Sequence, residues 1–209
     1  MEGTRMLLAR HAETSAPDRF HGAESDIGLS EWGVYQAERL GLWLADRGAN
    51  GLYSSSMRRA TLTAACIGRA CNLQPVPIAG LHERKIGLLS GRSRDEGWAI
   101  YAATKERWIA GDLEYTHPGG ESYGDIRRRV VPIIEDLGRR HRGDTIMVVA
   151  HGVVIRVLLT SLVSGLAPAD FDRIAIDFAS VNDLFLDGNI WTAGPLNQII
   201  ASSPEPPVA

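Results

Sequence analysis

Apolar positions fall along this chain in short runs, separated by stretches in which they recur at helical spacing. The runs at 5–9, 51–54, 74–78, 145–150, 173–178 and 182–186 have the length of strands. Between the first two, Ser30 is placed to cap a helix whose apolar stripe is Val34, Ala37, Leu40 and Leu44, with Gly48 at its end. A second helix is expected over about 56–70. Ser93 followed by Glu96 is a capping box and opens a third, carrying Trp98, Tyr101 and Trp108, whose spacing assigns them to the core before any aromatic binding box. Ser122 opens a fourth that ends near Arg140. This alternation predicts an α/β fold: a three-layer sandwich with a mostly parallel central sheet of about six strands and helices on both faces. The last two runs lie close enough in sequence to pair as a hairpin, which gives the sheet one antiparallel edge. Residues 1–200 then form a single domain, and 201–209, rich in proline, a flexible tail.

Composition narrows the setting. The chain has 209 residues, 44% of them hydrophobic, and a net charge of -3. That length supports one substantial core, and the balance of charge offers no basic surface for nucleic acid or membranes, although a local basic cluster can still hold a small anion. No apolar run approaches the roughly 20 residues of a membrane span, and the first residues lack the apolar region of a secretory signal, so a cytoplasmic location is expected. Cys66 and Cys71 lie five apart on an expected helix, a spacing that suits neither a redox pair nor a disulfide framework, and are read as free core thiols. A homodimer is left open.

The chemistry is concentrated at strand ends. The first run stops at Arg10 and His11, and the run at 145–150 stops at His151 and Gly152. Two strands of one parallel sheet deliver such residues to the same edge, where ligands of α/β sheets bind. Arginine offers a planar fork of donors that fits phosphate, and histidine is partly neutral and nucleophilic at physiological pH. Read singly, each histidine is equally a structural residue that ends a strand. Arg58 and Arg59 begin the second helix, where cations are disfavoured unless an anion compensates them, and only one of the two can point to a site because neighbours on a helix diverge by about 100°. Glu83 lies in a glycine-bearing loop and has the chemistry of a general acid and base. Arg19 and the turn at 117–122 are weaker candidates for anion contact, and the turn is equally a helix cap.

As a set these residues resemble the histidine phosphatase superfamily, the phosphoglycerate mutase-like fold. Arg10, His11, Glu13 and Thr14 match its opening Arg-His-Gly-Glu-Thr, with Ala12 in place of the glycine. Ser55, Arg59, Ala60, Thr63 and Ala64 match its second block and select Arg59 over Arg58. Leu81, Glu83, Gly87 and Gly91 match the third, Gly119 to Ser122 with Arg129 the fourth, and His151 with Gly152 the last, all in family order. The resemblance implies a small phosphatase that hydrolyses a phosphorylated metabolite through a phosphohistidine. His11 would be the nucleophile, Arg10, Arg59 and His151 would surround the phosphoryl oxygens, and Glu83 would donate the proton. Arg19 and Gly152 would line the substrate site, and no metal or other cofactor would be needed. Two alternatives stand beside this reading. A mutase-type transferase of the family carries a longer, more basic insertion where this chain has only Arg92, Arg94, Lys105 and Arg107. A non-catalytic binder would be expected to lack His11, Glu83 or Arg59, which are all present.

Overall fold

The computed structural model describes residues 3–201; the tail expected beyond Ala201 lies outside the described residues. The chain runs β1 (Thr4–Arg10), α1 (Glu31–Ala45), β2 (Gly51–Ser55), α2 (Arg58–Cys71), β3 (Pro75–Ile78), α3 (Arg94–Ile109), α4 (Tyr123–Arg140), β4 (Thr145–Ala150) and α5 (Gly152–Leu162). It then enters β5 (Ser180–Asp187), β6 (Ile190–Ala193) and β7 (Gln198–Ile199). The sheet order is β3-β2-β4-β1-β5-β6, with β7 on β5. The first four strands in that order are parallel, and β5 runs antiparallel to β1.

Alternation along the two central strands builds the layers. Met6, Leu8, Ile146 and Val148 pack into one buried cluster with Ile126, Val130 and Leu158 of α4 and α5. Leu7, Ala9, Met147 and Val149 pack into another with Ala37, Leu40, Ala60 and Ile67 of α1 and α2. Successive strand residues point to opposite faces, so an unbroken apolar run is what a sheet covered on both sides requires. Each such leucine, isoleucine, valine or methionine contributes about 1.5–3 kcal/mol on burial.

The caps at Ser30, Ser93 and Ser122 all form, the last two as capping boxes with Glu96 and Asp125. Val34 is an exception to its stripe: it is exposed, while Ala37, Leu40 and Leu44 are buried. The helix instead docks through Gly33, where a Cβ would overlap the Glu13 carbonyl oxygen. Glu13 serves this junction, accepting from the Ser30 hydroxyl at 2.7 Å. Cys66 and Cys71 are unbridged, the first buried and the second only partly so.

The expected strand at 173–178 does not form. That segment is irregular, and the antiparallel hairpin is β5 with β6, in which Asp187 pairs with Ile190 across a two-residue turn. Gly188 takes a φ of 58° as the first of the two turn residues, and Gly-Asn at such a turn is a readable hairpin signal. Among the described residues no helix is long and apolar enough to cross a membrane.

Candidate active site

The sheet register sets the site. Arg10 on β1 is paired with Ala150 on β4, so the next residues, His11 and His151, leave neighbouring strands at the same carboxyl edge. Their rings lie 5.1 Å apart, edge to face, and both are buried. His11 Nδ1 is 2.8 Å from the Ala12 carbonyl oxygen. A carbonyl only accepts, so this contact places the proton on Nδ1 and leaves the lone pair on Nε2. Burial, then the charges of Arg59 and Arg10, hold the His11 pKa well below its ordinary 6.5. His151 is lowered likewise by burial and then by Arg59, and neither of its ring nitrogens meets a partner among the described residues.

Two arginines stand beside the histidines. Arg10 is held by the irregular segment 173–178: its Nη1 donates to the Ile176 carbonyl at 2.7 Å and its guanidinium lies 3.8 Å from the centre of the Phe178 ring. Its Nε is buried without a partner, and burial lowers its pKa to about 10, so it stays a cation at neutral pH. Arg59 is buried at the start of α2 and donates to the Ser25 carbonyl at 2.9 Å and the Gly22 carbonyl at 3.3 Å. Arg58, its neighbour, is exposed, and its backbone N–H donates to Asp26. An orphaned buried donor costs on the order of 1–3 kcal/mol, a cost that a bound phosphate would remove at Arg10 Nε and at the N–H of His151.

Glu83 closes the pocket from the loop after a short 3-10 turn at Ala79–Leu81. It is buried, with Oε1 accepting from the Arg84 N–H at 2.8 Å and Oε2 from the Val153 N–H at 3.4 Å. His11, Arg10, Arg59, Glu83, Arg19 and Phe178 line an inner cavity of about 50 Å³. Arg10, Arg19 and Glu83 also line an outer cavity of about 230 Å³, which opens onto Gly152, Trp98 and Tyr101. His11, Arg10, Arg59 and Glu83 thus share the smaller space, and the larger one adjoins it along Arg10, Arg19 and Glu83.

Several expectations change on this geometry. Trp98 and Tyr101 face the outer cavity, Trp98 half-exposed, and of the three aromatics only Trp108 is fully buried. The turn at 117–122 does not reach either cavity: His117 is buried against Arg84, Thr104 and the Ile86 carbonyl, Glu121 pairs with Arg129, and Ser122 caps α4. Gly152 needs no left-handed backbone, and a Cβ there would make an ordinary 3.5 Å contact with Arg10. Ala12 is fully buried in the core cluster of α1 and α2, and its N–H donates to Thr63. Arg84, Arg156, Asp172 and Phe178 were not foreseen as cavity residues. Arg156 carried a signal, a lone cation in an apolar helix four residues after Gly152 and hence on its face.

The two buried neutral histidines make stability depend on pH. An unfolded chain takes up protons near pH 6.5 that the folded chain refuses at His11 and His151, so stability is full above that pH and falls as the pH drops through it. Each contributes up to ~1.4 kcal/mol per pH unit. Chemical denaturation at pH 7.5 and 5.5 is expected to show this loss above the range in which carboxylates titrate. Equal stability at the two values would mean that the buried rings accept protons freely.

Taken together, a three-layer sandwich whose parallel strand ends set His11 and His151 edge to face, with His11, Arg10 and Arg59 lining a small cavity, has the architecture of a phosphomonoesterase. The chain belongs to the histidine phosphatase superfamily (branch 1), whose sequence profile it matches over residues 6–198. It is 30% identical to phosphoserine phosphatase 1 of Hydrogenobacter thermophilus over 185 residues, 88% of this chain and 87% of that one. It is 32% identical to a metal-independent phosphoserine phosphatase of Arabidopsis thaliana over 166 residues, 75% of this chain and 68% of that one. Its fold superimposes on a mycobacterial glucosyl-3-phosphoglycerate phosphatase with a TM-score of 0.81 at 26% identity, covering 93% of this chain and 98% of that one.

Proposed function

We propose that the protein hydrolyses a small phosphorylated metabolite in two steps through a phosphohistidine at His11. In the first, the Nε2 lone pair of His11 forms the N–P bond, the ester P–O bond breaks, and the departing oxygen takes a proton from Glu83. In the second, water attacks phosphorus, Glu83 takes its proton, and the N–P bond breaks to release phosphate. Arg10, Arg59 and His151 surround the phosphoryl oxygens, where fixed donors matter most because charge accumulates there in the transition state. Arg19 lines the entrance and donates to the Gly91 carbonyl, which ties it to the loop before α3.

The observation that carries this reading is the fixed tautomer of His11: Nδ1 on the Ala12 carbonyl and a free Nε2, within a pocket that also holds Arg10, Arg59 and Glu83. The arginines supply the positive charge that a divalent ion supplies elsewhere. Among the described residues no three histidine, cysteine or acidic side chains are grouped to hold a metal. A cytoplasmic setting fits the two free thiols.

The test is hydrolysis of p-nitrophenyl phosphate at neutral to mildly acidic pH in excess chelator. Full activity is expected there, with inhibition by vanadate, which adopts the five-coordinate geometry of the transferring phosphoryl group. Activity that appears only on addition of a divalent metal would overturn the mechanism.

A further inference from the structure

The inner pocket already holds the charge that a phosphate needs. Arg10 and Arg59 would face a dianionic phosphoryl group there. Beyond them, the outer cavity is lined by five more cations, Arg19, Arg84, Arg94, Lys105 and Arg156, against a single acid besides Glu83, Asp172. Several of these cations have donors to spare. Arg84 is fully buried, and its Nη1 meets no hydrogen-bond partner among the described residues. Arg156 uses Nε on the Ile174 carbonyl at 2.8 Å, and Arg94 uses Nε on the Pro17 carbonyl at 3.1 Å.

Asp172 is already engaged. Lys105 donates to both of its oxygens, at 2.7 and 2.9 Å, and the Lys105 side chain is 11% exposed against 46% for Asp172. The same ammonium lies 5.3 Å from the Trp98 ring centre and 5.2 Å from that of Tyr101. A positive group on a ligand would therefore have to compete with Lys105 for the one acid besides Glu83 while standing among arginines. A negative group would meet the guanidinium groups of Arg94 and Arg156 and the unpartnered Nη1 of Arg84.

We propose that the outer cavity selects a leaving group that carries a second anion, a carboxylate or a second phosphate, and no ammonium group. Arg156 and Lys105 are the residues that read this charge, and Asp172 moderates it by holding Lys105. The inference rests on the phosphatase reading above, since it concerns the alcohol part of the substrate at the same site.

Three probes differ at one position each and decide the matter. 3-Phosphoglycerate has a carboxylate where glycerol 3-phosphate has a neutral hydroxymethyl group, and O-phosphoserine replaces its hydroxyl with an ammonium. The value of kcat/KM for 3-phosphoglycerate is expected to exceed each of the other two by about tenfold or more, because an unscreened charge in a partly buried site discriminates strongly. Glycerol 1,3-bisphosphate, with a second phosphate in place of the carboxylate, is also expected to exceed glycerol 3-phosphate, and its rank against 3-phosphoglycerate identifies the anion. Two variants should move the ratio of 3-phosphoglycerate to glycerol 3-phosphate in opposite directions. Arg156→Gln lowers it, and Asp172→Asn, at a half-exposed side chain, raises it by releasing Lys105. A purely structural role for these residues would not produce opposite signs.

Equal values for 3-phosphoglycerate and glycerol 3-phosphate would overturn the proposal, as would phosphoserine matching or exceeding 3-phosphoglycerate. Should Asp172→Asn selectively impair phosphoserine, that acid binds a substrate ammonium and the proposal is wrong. p-Nitrophenyl phosphate separates the two levels. If it is hydrolysed while the charged probes are not distinguished, the charge selection fails alone, and if no phosphomonoester is hydrolysed, the phosphatase reading fails.

Discussion

Replacing His11 with alanine is expected to lower turnover of every phosphomonoester by on the order of 10⁴-fold or more, and to remove the phosphorylated enzyme altogether. The expectation rests on the distinctness of the two buried histidines. His11 has its tautomer fixed by the Ala12 carbonyl, whereas among the described residues neither nitrogen of His151 has a hydrogen-bond partner that would set its proton. His151 thus keeps a donor unspent for phosphate, and with no partner to fix its tautomer it is poorly prepared to act as nucleophile. Rapid acid and alkaline quench of enzyme mixed with labelled substrate distinguishes the species, since an N–P bond is acid-labile and survives alkali while an acyl phosphate does not. A labelled, acid-labile phosphoenzyme that persists in His11→Ala would transfer the nucleophile to His151. Phosphate binding by the variant should survive, because Arg10 and Arg59 take their positions from Ile176, Ser25 and Gly22.

The parts of this site that could be read in the sequence are those fixed by sheet geometry. Strands β1 and β4 are unbroken apolar runs because both faces are covered, and a parallel register necessarily brings the residues after Arg10 and Ala150 to one edge. The choice of Arg59 over Arg58 was legible only through resemblance, and the structure gives its physical content: one side chain is buried at the pocket and the other is exposed. What escaped is set by tertiary position. Residues 173–178 alternate apolar and polar as an edge strand would, yet the Ile176 carbonyl and the Phe178 ring are used to hold Arg10 instead of pairing with a neighbour. Trp98, Tyr101 and Trp108 fall on one helical stripe, but Trp98 and Trp108 stand about 15 Å apart along the axis. That length carries α3 off the core and over the cavity, so one stripe serves two environments. Nothing in local spacing reports where a helix outruns the core beneath it.

The role of Glu83 is separable from phosphate binding by the choice of leaving group. An alkoxide is a poor leaving group and needs a proton as the P–O bond breaks, whereas a nitrophenolate departs without one. Glu83→Gln is therefore expected to slow phosphoenzyme formation from alkyl phosphates by about 10²–10⁴-fold, the usual range for loss of a positioned general acid. The nitrophenol burst from p-nitrophenyl phosphate should stay within about tenfold of the parent enzyme on the same argument. The substitution is mild for the fold: a glutamine oxygen still accepts from the Arg84 N–H, and only the longer 3.4 Å contact with the Val153 N–H is lost. Steady-state turnover of the aryl ester should fall more than its burst, because the same carboxylate activates the water that cleaves the phosphohistidine. Stopped-flow measurement of the burst beside steady-state release separates the two steps. If the burst falls equally for good and poor leaving groups, Glu83 organises the Arg84 and Val153 backbone around the pocket and transfers no proton.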